Sequence, residues 1–287
     1  MKTGLVLEGG AMRGLFTAGV LDVMMENGIE FDGAIGVSAG AAFGCNYKSR
    51  QPGRALRYNV NYAKDPRYCS VWSLIFTGDL YGGKFCYDTL PRELDKVDYE
   101  TYVSNPMKFY AVATDVHTGK PVYKELDDME EENMQFLRAS ASMPVVSRAV
   151  KVGDGEYLDG GISDSIPLKA FEEMGYDKNV VILTRPETYR KKPQAAAGAM
   201  KVLLKKYPAV MEALEKRHTV YNETLEYIHE REEQGMTYVI CPQRPLPAGR
   251  IEHDPEVLKA TYYQGRKEGR RHLEAVRKFL SKEKENE

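Results

Sequence analysis

The sequence predicts an α/β fold: a three-layer sandwich around a mostly parallel central sheet, continued by a helical C-terminal part. Three observations carry this expectation. Short apolar runs of strand length alternate with stretches of helical periodicity through the first half of the chain. The first two runs each end in a glycine-containing turn that opens a helix, as a parallel sheet requires. Residues 186–287 are charged and mostly of helical character, with one late strand.

In chain order, Leu5-Val6-Leu7 is the first strand and ends at Gly9-Gly10. Residues 15–27 follow as a helix, with Leu15, Phe16, Gly19, Val20, Val23 and Met24 at helical spacing and Gly28 as its stop. Residues 31–36 form a second strand, and residues 39–47 a helix of small side chains. Residues 52–64 are helical, and the aromatic stretch 67–84, with Trp72, Phe76 and Tyr81, reads as loop. Residues 107–116 and 121–126 flank the turn Thr118-Gly119-Lys120 as a hairpin. An acidic helix spans 127–140, its carboxylates favoured at the positive end of the helix. A second hairpin turns at Gly153-Asp154-Gly155, before a helix over 167–175 and a strand over 179–184. The remainder reads as helix over 194–234 with a break near Pro208, a strand over 237–241, a helix over 254–284 and a frayed end. No domain linker stands out, and residues 186–287 are read as an extension packed on the same core as residues 1–185.

Composition narrows the function. The 287 residues carry 40 Lys+Arg and 42 Asp+Glu, a net charge of −2, which gives no reason to expect a nucleic-acid partner. No stretch approaches the roughly 20 apolar residues of a membrane span. The N-terminal apolar run is too short for an export signal, so a cytoplasmic location with reduced thiols is expected. Cys45, Cys69, Cys86 and Cys241 are scattered and form no Cys-x-x-Cys pair; no metal or other cofactor is expected.

The motif that carries chemistry is Gly36-Val37-Ser38-Ala39-Gly40, a Gly-x-Ser-x-Gly between a predicted strand and a predicted helix. A nucleophilic serine needs a tight, strained turn there, and Gly36 and Gly40 keep Cβ atoms out of it. The helix beginning at Ala39 aims its free amides and positive end at the site. The competing reading makes Ser38 an ordinary helix cap. Upstream, Glu8-Gly9-Gly10-Ala11-Met12-Arg13-Gly14 opens the first helix and presents backbone N–H groups to an oxyanion, Gly10, Ala11 and Ala39 being the candidate donors. Arg13 either holds this loop or adds positive potential. As a phosphate loop the stretch fails, since Ala11 breaks Gly-x-Gly-x-x-Gly and Leu15-Phe16 follow Gly14. Downstream, Asp159-Gly160-Gly161 sits at a strand end, where Asp159 either takes the serine proton or merely makes a turn. As a base it needs partial burial to raise its pKa.

Together these three motifs resemble the patatin-like phospholipases, which pair an oxyanion loop of Asp-Gly-Gly-Gly-x-Arg-Gly type with Gly-x-Ser-x-Gly and a later Asp-Gly-Gly or Asp-Gly-Ala. Ala139-Ser140-Ala141-Ser142-Met143-Pro144 also looks like a segment of that family. The resemblance covers about the first 185 residues by motif spacing. It implies a dyad of Ser38 and Asp159, no catalytic histidine, no metal, and hydrolysis of lipid acyl esters. Two departures stand out: Glu8 replaces Asp, and Ala11 replaces the third Gly. A positive φ at Ala11 would cost about 1 kcal/mol or more.

The implied partner is a lipid or acyl-ester substrate, with transient contact to a membrane surface. A small-ester esterase, an acyltransferase, a non-catalytic regulator of the same fold and a nucleotide-binding module are the alternatives. His117, His218, His229, His253 and His272 lie in charged helices, a charged loop or a turn and are read as surface residues rather than triad members. The basic amphipathic stretch at 200–211 either lies on a lipid interface or packs on the sheet.

Overall fold

In the computed structural model, residues 1–193 and 204–281 are described. Residues 194–203 of the helix expected over 194–234, with them residues 200–203 of the basic amphipathic stretch, and the expected frayed end beyond Ser281 lie outside the described residues. The parallel centre of the sheet is made by β1 (Thr3–Leu7), β2 (Gly33–Val37), β3 (Lys108–Asp115), β7 (Lys178–Ile182) and β8 (Thr237–Ile240). Three antiparallel strands complete one side: β4 (Pro121–Glu125), β5 (Val150–Val152) and β6 (Gly155–Asp159). The order is β5-β6-β3-β2-β1-β7-β8, with β4 also paired to β3.

Alternation along the strands builds the three layers. Leu5 and Leu7 of β1 point to one face and pack with Phe16, Val20 and Met24 of α1 (Gly14–Glu26) and Ala41 and Cys45 of α2 (Ala39–Lys48). Val6 points to the opposite face, into a second core with Leu168 and Phe171 of α7 (Leu168–Glu173) and Tyr221 and Ile228 of α8 (Pro208–Glu233). The last helix, α9 (Pro255–Ser281), crosses α1 backbone to backbone: a Cβ on Gly265 would stand 1.9 Å from the Phe16 carbonyl oxygen.

β1 to β3, α1, α2 and both hairpins follow the periodicity of the sequence. The stretch expected as loop differs. Residues Val71–Thr77 form α4, after α3 (Arg54–Asn61), with the Ser70 hydroxyl accepting from the Ser73 amide at 2.9 Å and Gly78 ending the helix at φ +83°. Those are ordinary start and stop residues, obscured by the aromatic composition between them. Phe85–Leu94 is a widened π-type helix containing Pro91, which lacks an amide for a tighter ladder. Two further helices are α5 (Tyr99–Ser104) and α6 (Glu131–Ser140). No helix among the described residues is long and apolar enough to cross a membrane.

The edges of β3 position the site. β4 lies along one edge, opposite Tyr110 to Thr114. β2 and β6 must therefore share the other: β2 pairs with Lys108 to Val112, and β6 takes over antiparallel at Ala113 to Asp115. The two strands meet head-on, with Val37 opposite Val112 and Asp159 opposite Ala113.

The turn at the end of β2 leaves no room for side chains. A Cβ on Gly40 would lie 2.4 Å from the Leu7 carbonyl oxygen, and one on Gly36 would lie 2.6 Å from the Ala41 amide nitrogen. Gly40→Ala should lower stability in urea unfolding by about 1–3 kcal/mol. Gly249→Ala, whose Cβ would meet nothing nearer than 3.5 Å, should stay within about 0.5 kcal/mol of the parent.

Candidate active site

Ser38 stands between β2 and α2 at φ +55° and ψ −121°, a region that L-residues rarely occupy. It is partly exposed, while Val37 and Ala39 on either side are buried. Its amide donates to the Ser140 hydroxyl at 3.0 Å. In the first turn of α2 the Ala41 amide donates to the Ser38 carbonyl at 3.0 Å, which leaves the Ala39 and Gly40 amides without an intrahelical acceptor.

Asp159 is 2% exposed. Its Oδ1 accepts from the Gly161 amide at 2.7 Å, and its own amide donates to the Ser142 carbonyl at 2.9 Å. Oδ2 is buried without a hydrogen-bond partner among the described residues. Desolvation raises the carboxyl pKa above the ordinary value; the neighbouring Ser38 hydroxyl, the Arg217 guanidinium and the Gly161 amide pull it back down. The serine thus lies beside the carboxylate without forming a hydrogen bond to it, an arrangement common before substrate tightens a site.

The glycine loop completes the wall. Gly9, Gly10, Ala11 and Arg13 line a polar chamber with Ser38, Asp159 and Gly161. Gly14, Gly36, Gly40 and Gly160 are instead close-packing positions behind it. Ala11 adopts φ +50°, so this chain accepts the strain that a glycine there would avoid. Glu8 is buried and ties three elements together: Oε2 accepts from the Thr184 amide at 2.5 Å and hydroxyl at 3.0 Å, and Oε1 from the Tyr221 hydroxyl at 2.8 Å.

Several residues here escaped the sequence reading. Ser140 and Ser142 hold the amides of Ser38 and Asp159, although only their resemblance to a family segment had marked them. Arg185, Lys191, Arg217 and Arg250 line the chamber from the C-terminal part. They sit in charged stretches where nothing local distinguishes a site residue from a solvated one.

A larger apolar cavity of about 480 Å³ opens on the other side of Ser38. Phe43, Tyr58, Leu80, Leu90 and Leu137 are among its walls, and Ala11, Ser38, Met143, Arg217 and Arg250 belong to both spaces. Among the described residues no histidine lines either one. His253 bonds the Ala63 carbonyl at 2.9 Å, and His272, half-buried rather than solvated, meets the Tyr238 hydroxyl at 2.6 Å. Trp72 and Phe76 do not line the cavity: they are 65% and 77% exposed and stack on each other on α4.

The raised pKa of Asp159 has a sign that can be tested. The folded state holds this proton more tightly than the unfolded chain, so the group adds stability below the ordinary carboxylate pKa of about 3.9 and loses it as pH rises through the higher folded value. Asp159→Asn removes the titration. The excess stability of the variant over the parent should be larger at pH 7 than at pH 4 by chemical denaturation, and a difference independent of pH would contradict the assignment.

Residues 5–172 match the patatin-like phospholipase family, and residues 207–281 match a domain family of unknown function. The uncharacterized protein YjjU of Escherichia coli is 30% identical over 98% of this chain and 79% of its own length. The lysophospholipase nte1 of Aspergillus fumigatus is 26% identical over 61% of the chain, which spans only 11% of that protein. An uncharacterized NTE family protein of Mycobacterium bovis is 27% identical over 63% of the chain and 48% of its own length. The crystal structure of VipD from Legionella pneumophila superposes with a TM-score of 0.49 at 14% identity, covering 96% of this chain and 67% of that one. With the family match spanning more than half its length, this chain belongs to the patatin-like phospholipases.

Proposed function

We propose that the chain is a serine acyl-ester hydrolase of lysophospholipase or phospholipase A type, working through a Ser38–Asp159 dyad. The observation that carries this reading is the position of Ser38: a strained, partly exposed hydroxyl beside a buried carboxylate, at the junction of a polar chamber and an apolar cavity. A cavity of that size lies in the range that holds a ligand of lipid-chain dimensions, with the ester carbonyl left at the junction.

In this mechanism Asp159 accepts the Ser38 proton as Oγ attacks the carbonyl carbon. The oxyanion is held by the amides of Gly10, Ala11 and Ala39, since the Ser38 amide is already given to Ser140. Collapse expels the alcohol, which takes the proton from Asp159. Water activated by the same carboxylate then releases the fatty acid and regenerates the serine. Desolvation of Asp159 suits it to this work, because a carboxylate closer to neutrality is a stronger base. The reading requires no cofactor. It treats residues 1–185 as the catalytic core and the remainder as an extension of the same unit, in the cytoplasm. Small-ester hydrolysis and acyl transfer use the same dyad; the apolar cavity favours a long acyl chain over a short one.

Contact with a lipid surface falls to α4. Val71, Trp72, Ile75 and Phe76 are all more than 60% exposed. Leaving such side chains in water forgoes about 1.5–3 kcal/mol each. The helix adjoins the cavity rim, where the Leu80 amide donates to the Val146 carbonyl at 2.7 Å and where Val145 and Ile251 are exposed.

Ser38→Ala and Asp159→Asn should both abolish labelling by a fluorophosphonate probe, read by gel fluorescence against the folded parent. Labelling that survives Ser38→Ala removes the nucleophile, and full labelling of Asp159→Asn points to another base. Trp72→Ser with Phe76→Ser should weaken cosedimentation with phospholipid vesicles at least fivefold; unchanged cosedimentation would take the membrane role away from α4.

A further inference from the structure

The polar chamber beside Ser38 is cationic far beyond what an ester needs. Arg13, Arg185, Lys191, Arg217 and Arg250 face it, against the two carboxylates Glu8 and Asp159. Neither carboxylate forms an ion pair with these cations among the described residues, although both attract them: Glu8 acts on Arg13, Lys191 and Arg217, and Asp159 on Arg217. Both Glu8 oxygens accept from Thr184 and Tyr221, and Asp159 is bonded to Gly161 and set beside Ser38.

The cations lack comparable partners. Among the described residues none of the five forms an ion pair within 4.0 Å, and the buried Nε atoms of Arg13 and Arg217 have no hydrogen-bond acceptor. Arg185 and Lys191 rest only on aromatic rings, 4.7 Å over Tyr189 and 4.2 Å over Tyr221. Burial pushes the Lys191 ammonium down to about 7; Arg217, Arg250 and Arg13 push it the same way, and Glu8 pulls it back. Arg13 is held down to about 10 by burial and by Arg185. Crowding like charges around a half-buried space costs free energy that two carboxylates against five cations offset only in part, and a bound anion would offset the rest.

Size narrows the anion. The chamber has a volume of about 70 Å³. At roughly 10–15 Å³ for each water-sized occupant, it holds about five to seven small heavy atoms. That is the size of one phosphate group. Guanidinium forks match phosphate oxygens in pairs. A choline ester of that phosphate would bring a like charge among these cations and more heavy atoms than the chamber holds.

We propose that this chamber binds the phosphate monoester head of the substrate, so that the preferred ester is a glycerolipid ending in a bare phosphate rather than one carrying choline or no charge. The inference deepens the hydrolase reading and rests on it for the position of the ester bond. The acyl chain occupies the apolar cavity, the carbonyl meets Ser38, and the phosphate lies among Arg13, Arg185, Lys191 and Arg217. Arg217 and Arg250 come from the segment that matches a family of unknown function, and closing the head-group chamber is the role this assigns to it.

The test reads binding, not turnover. Ser38→Ala protein is titrated calorimetrically with lysophosphatidate, lysophosphatidylcholine and monoacylglycerol of one acyl chain, each below its micellar concentration, and with inorganic phosphate. Lysophosphatidate should bind at least tenfold more tightly than the other two lipids. Lys191→Gln and Arg185→Gln, each added to Ser38→Ala and checked for an unchanged melting temperature, should cut that preference at least fivefold. Equal affinity for the three lipids, or a preference that survives both substitutions, overturns the proposal. Inorganic phosphate binding as tightly as lysophosphatidate makes the chamber a free-anion site and overturns the substrate assignment. Failure of the parent protein to hydrolyse any of these lipids would instead sink the hydrolase reading, which the binding preference does not depend on.

Discussion

One edge of one strand organises this molecule. β3 gives its far edge to β4, and on its near edge β2 ends where β6 begins. Val37 and Asp159 therefore stand opposite consecutive residues, Val112 and Ala113, although more than a hundred positions separate them in the chain. Two strands meeting end to end on a shared neighbour bring a strand-to-helix turn against a strand terminus. The serine and the carboxylate become neighbours through backbone pairing, before any side-chain contact is made.

The strain stored at that junction is held by its surroundings. Ser38 keeps a positive φ because its amide is fixed by Ser140, its helix packs on the Leu7 carbonyl through Gly40, and its strand is buried on both faces. Ala11, also at positive φ, is carried by a loop anchored through Glu8 to Thr184 and Tyr221. Glu8 thus does more than replace a shorter acid: its extra methylene reaches the end of β7 and the flank of α8 together, clamping the N-terminal loop to the C-terminal part.

That clamp explains why the C-terminal part belongs to the site. β8 extends the parallel sheet beside β7, α9 lies against α1, and α8 covers the second core. These contacts bring Arg217 and Arg250 over the glycine loop. The chamber they close is polar and cationic, and the cavity beyond Ser38 is apolar, so the candidate nucleophile sits on a boundary between two solvents. An amphiphilic ester is the kind of molecule that straddles such a boundary.

Local patterning determined much of this by itself. Period-two and helical spacing gave the parallel core, and the glycines around Ser38, Asp159 and the first loop marked where backbones crowd, because crowding leaves no alternative residue at those positions. The start and stop of α4 were also written locally, in Ser70 and Gly78, but the aromatic residues between them disguised a helix whose apolar face points outward. Only the tertiary structure decided which charges matter. Arg185, Lys191, Arg217 and Arg250 look like solvated surface in the sequence, since a charge acquires its role from what surrounds it, and their surroundings come from segments distant in the chain. A strained turn needs particular residues in a row; an electrostatic chamber needs only that they converge.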